Sequence, residues 1–87
     1  MRRRVVIRGR VQGVFFRDSL RRLADERGVS GWARNTREGT VEAVFEGAPG
    51  SVGELVSFAR LGPPDAQVEE VRVFEEPPEG LTGFSIR

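Results

Sequence analysis

Gly9-Arg10-Val11-Gln12-Gly13-Val14-Phe15-Phe16-Arg17 is the stretch on which the reading of this 87-residue chain turns. Val5-Val6-Ile7 before it read as a buried strand. After it, Phe16, Leu20, Leu23 and Ala24 fall at i, i+4, i+7 and i+8, the spacing of one helix face. The glycine-bearing link is therefore a strand-to-helix turn. Such a turn gathers main-chain N–H groups that have no intrahelical acceptor, and the helix dipole adds partial positive charge, so the expected ligand is an anion such as phosphate. Arg17, in the first helical turn, opposes that dipole unless an anion lies between them.

Working outward, the first strand is expected over Arg4 to Val11, with Val5 and Ile7 on one face and Val6, Arg8 and Arg10 on the other. The first helix is expected over Phe16 to Arg27, closed by Gly28. Val29 to Arg34 and Thr40 to Glu46 read as a hairpin around Asn35-Thr36-Arg37-Glu38-Gly39, with Val41, Ala43 and Phe45 on its apolar face. Ser51-Val52-Gly53-Glu54 has capping-box spacing and opens a second helix that ends near Leu61, before Gly62-Pro63-Pro64. Gln67 to Glu75 gives a fourth strand, and Gly83 to Arg87 a short final one at a sheet edge. This order predicts an α+β, ferredoxin-like split βαβ arrangement, with two helices on one face of an antiparallel sheet and a single domain over residues 1–87. That fold hosts enzymes, RNA binders and small-molecule sensors, so it does not name a function.

Composition removes several chemistries. The chain has no cysteine, histidine, lysine or tyrosine, which excludes thiol nucleophiles, His-based triads, Schiff bases and the usual zinc sites. Its net charge of +1 hides a split. Residues 1–37 carry eleven arginines against Asp18, Asp25 and Glu26, a net of +8; residues 38–87 carry three arginines against ten acids, a net of −7. Either an anionic ligand meets the first part of the chain, or the two parts interleave and neutralise each other. The arginines at 2, 3, 4, 21 and 22 are expected to be solvated. Val5-Val6-Ile7 is too short for a secretory segment and no apolar run approaches a membrane span, so a soluble, cytoplasmic chain is expected, with no membrane partner.

The run Gly9 to Arg17, followed by Gly31-Trp32-Ala33-Arg34-Asn35 and Gly39-Thr40-Val41-Glu42, resembles acylphosphatases, small enzymes that hydrolyse carboxyl-phosphate anhydrides. The likeness covers nearly the whole chain and includes Gly62-Pro63 after the second helix. It implies that Arg17 binds the phosphoryl group and Asn35 orients the attacking water, with the backbone of Gln12, Gly13, Val14, Phe15 and Phe16 as the phosphate cradle. It further implies a monomer without metal or cofactor, an acyl phosphate as substrate, inorganic phosphate as product, and no nucleic-acid partner. Ala33 stands where a valine is often found, Glu38-Gly39 replaces a common Asp-Gly, and Arg87 closes the chain where many relatives have an aromatic.

The residue types suit that chemistry. An acyl phosphate departs as a carboxylate whose conjugate acid has a pKa near ~4, so no proton donor is needed at neutral pH. What is needed is charge stabilisation on the phosphoryl oxygens and a water held in line. A guanidinium supplies paired donors of permanent charge, and an asparagine positions a water without acting as a base. Plainer explanations stand beside these: Arg17 as a solvated surface residue and Asn35 as a turn former. Asn35 is the chain's one asparagine, while other turns use Gly, Asp and Ser, which favours a task for its amide. The aromatic residues are assigned to packing. Two other classes share the topology: a non-catalytic anion sensor and an RNA-binding module. Glu42 and Glu46, on the face where the RNA binders stack bases, count against the second.

Overall fold

The computed structural model describes residues 1–87. Its elements are β1 (Arg2–Arg10), α1 (Phe16–Arg27), β2 (Ser30–Asn35), β3 (Val41–Glu46), α2 (Pro49–Leu61), β4 (Gln67–Glu75) and β5 (Phe84–Ile86). They form one five-stranded sheet of order β4-β1-β3-β2-β5. The first four strands pair antiparallel, whereas β5 runs parallel to β2, with Ala33 opposite Ile86. The expected antiparallel sheet thus becomes a mixed one at its edge. The cause is topological: the chain leaves β4 at one edge and crosses to the other before β5 begins, so no hairpin dictates strand direction.

Both helices lie on one face. Phe16, Leu20 and Ala24 of α1 and Val52, Leu55 and Ala59 of α2 close over Val5, Ile7, Val41, Ala43 and Phe45. The alternation expected for β1 and β3 is therefore the core pattern. At the end of β1 the register with β4 slips between Arg8 and Gly9. Gly9 has φ 132°, and a Cβ there would stand 2.1 Å from the Gln67 carbonyl oxygen, so only glycine lets β4 pass this close as β1 runs out into the loop.

Two local expectations are corrected. The second helix begins at Pro49, behind Ala48, and no side chain caps it. Proline fixes φ at a helical value and has no N–H to orphan, so it starts the helix two residues before Ser51, and the capping box does not form. Arg2 is not solvated. Its side chain is 7% exposed on the helix-free face, bonded to Glu46 at 2.7 Å and Glu76 at 3.0 Å. Arg3 pairs with Glu75, and Arg4 with Glu42 and Glu76. The basic and acidic parts of the sequence are interleaved by β1 lying between β3 and β4. On this face Arg4 covers the Phe74 ring and Arg87 covers Trp32, beside the fully buried Val44.

Glu46 is the hub of that end of the sheet. Burial pushes its carboxyl pKa up, but hydrogen bonds from the Glu79 amide, the Arg2 guanidinium and the Leu81 and Gly80 amides outweigh it and lower the pKa to about 2.

Candidate active site

At the opposite end of the sheet, residues 11–15 leave β1 and turn into α1. The turn uses left-handed backbone at Gly13 (φ 74°) and again at Phe15 (φ 62°, ψ 26°), which stands at the helix N-cap without a side-chain cap. Among main-chain amides from Gln12 to Ser19, only that of Ser19 donates within the chain outside the regular elements, to the Phe15 carbonyl at 3.0 Å. The amides of Gln12, Gly13, Val14 and Phe15 are left without acceptors at a helix N-terminus, which is the arrangement of an anion site.

This turn bounds a pocket of about 250 Å³. Val11, Gly13, Phe15 and Arg17 supply one wall; Asn35 of β2 and Ile86 of β5 supply the other. The two residues singled out in the sequence, 18 positions apart, therefore meet at one cavity. The pairing of β2 with β3 sets Asn35 opposite Val41, at the strand ends nearest the turn.

Each of them is short of partners. Arg17 has no side-chain carboxylate within ion-pair distance, and its one hydrogen bond runs from Nη1 to the main-chain oxygen of Arg87 at 3.4 Å. The neighbouring Asp18 also lines the pocket, and its carboxylate is paired with Arg21 at 2.8 Å and Arg22 at 3.0 Å. Asn35 Oδ1 is buried and accepts nothing, a state that costs roughly 1–3 kcal/mol when no partner arrives. One wall thus offers a guanidinium and free N–H groups, and the other an amide.

One participant was not foreseen as a side chain. Gln12, one of two glutamines in the chain, donates its Nε2 to the carbonyls of Thr36 at 2.8 Å and Thr40 at 2.9 Å. The Thr36 and Thr40 hydroxyls meet at 2.6 Å and the Thr36 amide bonds the Thr40 carbonyl. The carboxamide therefore ties the glycine-bearing turn before α1 to the β2–β3 turn that follows Asn35. Its scarcity was the only sequence signal. Arg87 also enters through its backbone, since its amide bonds Ala33 at 2.9 Å and its carbonyl meets Arg17.

Residues 3–86 match the family model described as acylphosphatase. An acylphosphatase of Rubrobacter xylanophilus is 59% identical over 85 residues, covering 97% of this chain and 77% of that one. One of Gloeobacter violaceus is 51% identical over 99% of this chain and 92% of its own. The crystal structure of acylphosphatase from Bacillus subtilis superposes with a TM-score of 0.93 at 34% identity, covering 99% of this chain and 97% of the other. A turn of unpaired amides, an unneutralised Arg17 and an unsatisfied Asn35 thus sit in a chain that belongs to the acylphosphatase family.

Proposed function

We propose that this enzyme hydrolyses the carboxyl-phosphate bond of acyl phosphates with Arg17 and the main chain of Gln12 to Phe16 holding the phosphoryl group and Asn35 placing the water. The observation that carries this is the convergence of unneutralised donors and an unsatisfied amide on one pocket. The free N–H groups of the turn and the Arg17 fork match the oxygens of a phosphoryl group, where negative charge spreads in the transition state. The Asn35 carbonyl oxygen accepts from a water and directs its lone pair at phosphorus. As the new P–O bond forms, the P–O bond to the acyl group breaks with its electron pair staying on the acyl oxygen. The products are a carboxylate and dihydrogen phosphate, one water proton having passed to a phosphoryl oxygen.

No general base is required in this scheme, because the leaving group is a weak base and the phosphoryl oxygen takes the proton. The cationic work is assigned to a guanidinium that cannot lose its charge, and the reaction needs no metal. The chain is read as one domain acting as a cytoplasmic monomer, a state that sedimentation of the purified protein checks. The direct test is steady-state hydrolysis of benzoyl phosphate in the presence of EDTA. Turnover that persists, with inorganic phosphate as a competitive inhibitor, is the expected result; turnover abolished by the chelator would contradict the guanidinium assignment.

A further inference from the structure

Phe15 violates two rules at once. It is the one non-glycine residue with positive φ, while the nine other positive-φ positions are all glycine. A left-handed backbone costs an L-residue with a bulky side chain roughly 1–2 kcal/mol, and glycine would occupy the site freely. Its ring is also 77% exposed, although it lines the pocket beside Gly13 and Arg17. Strain and solvated apolar surface at one position of a candidate site point to use rather than to packing. The opposite wall carries a second exposed apolar side chain, Ile86.

In-line displacement decides what such a ring can meet. The phosphorus sits between the incoming water and the departing acyl oxygen. With the water at Asn35 and the phosphoryl oxygens on the turn amides, the acyl group leaves on the side of phosphorus away from Asn35, toward solvent, where the exposed Phe15 ring lines the pocket. We propose that the Phe15 ring is the seat of the acyl group and that it selects apolar, and above all aromatic, acyl phosphates over small ones. This inference rests on the acyl phosphate reading given above. Aromatic contact supplies the preference, since an offset or edge-to-face ring pair adds attraction beyond the area it buries. Because the acyl part is remote from the reacting bond, the ring contributes equally to ground state and transition state and is felt in KM.

The test compares kcat/KM for benzoyl phosphate and acetyl phosphate in the wild type, Phe15→Gly and Phe15→Tyr. Both substrates share the phosphoryl group, so any effect of the substitution on the cradle cancels in the ratio. Phe15→Gly is expected to fold, since φ 62° is favourable for glycine. In it the benzoyl-to-acetyl ratio is expected to fall by roughly five- to tenfold, through the KM for benzoyl phosphate, while Phe15→Tyr retains the wild-type ratio. A ratio unchanged in Phe15→Gly, with both substrates slowed by the same factor or by none, would overturn the acyl seat and leave the enzymatic reading intact. Wild-type protein that turns over neither substrate would overturn both.

Discussion

The two ends of the sheet use the same chemical groups in opposite ways. At one end Arg2 is buried against Glu46 and Glu76, and Glu46 in turn accepts three main-chain amides, so that cation, anion and backbone donors saturate one another. At the other, Arg17 lacks an acidic side chain, four consecutive amides lack acceptors and the Asn35 oxygen lacks a donor. Saturation fixes structure, while the unsaturated set is held open at a cost in stability. In the proposed function, a ligand bearing three oxygens repays that cost.

The contrast can be broken at either end. The largest effect is expected from Arg17→Ala, which removes the one cationic side chain lining the pocket: kcat/KM falls by about 10³-fold or more and inhibition by inorganic phosphate disappears with it. Arg17→Lys is expected to recover little, because a point charge does not reproduce a paired donor. Equal activity in Arg17→Ala and wild type would erase the functional side of the comparison. Glu46→Ala attacks the saturated end: it removes the nearest carboxylate of the buried Arg2, which keeps Glu76, and leaves three amides without their acceptor. It is expected to cost about 2–4 kcal/mol, a drop in Tm of ~10 °C or more for a domain of this size. Thermal unfolding monitored through Trp32 measures this.

Asn35→Ala sharpens the comparison by separating the two kinds of cost. Turnover is expected to fall by about 10²-fold with phosphate inhibition preserved, whereas Tm holds or rises, because the substitution deletes an unsatisfied buried acceptor. A fall in Tm would place Asn35 among the structural groups. Acid gives the smallest and most gradual effect. The Glu46 pKa is depressed in the folded protein, so its stabilisation is complete above the ordinary carboxylate value of 4.5 and is lost as pH falls from there to about 2. Glu76, lowered by its bonds to Arg4 and Arg2, acts in the same direction. Unfolding curves collected from pH 6 downward are therefore expected to show declining stability in that window, and Glu46→Gln to show a shallower decline.

The periodic parts of the fold were legible because they depend on local pattern: Phe16, Leu20 and Ala24 form one helix face, and Val41, Ala43 and Phe45 one strand face, wherever the rest of the chain lies. Arg17 and Asn35 could be singled out because one follows a glycine-bearing strand-to-helix turn and the other is the chain's one asparagine, and the fold brings both to one pocket. Three features were not legible. The burial of Arg2 depends on β1 lying between β3 and β4, which sequence separation conceals. The direction of β5 depends on a crossing that has no hairpin signal. The left-handed backbone of Phe15 is hidden because nothing about phenylalanine announces positive φ. Pro49 shows a local signal being overruled by a stronger one two residues earlier.

The parallel edge strand has a further consequence, for the dynamics of the site. β5 spans three residues and is fastened to β2 on one side alone. Elements of this kind open at far lower free energy than a four-stranded antiparallel sheet, so the cheapest partial unfolding of the molecule detaches Ile86 and the Arg87 carbonyl while leaving the scaffold folded. The Arg17 guanidinium then swings free of its tether, and rapid hydrogen exchange at the Arg87 amide would report the event.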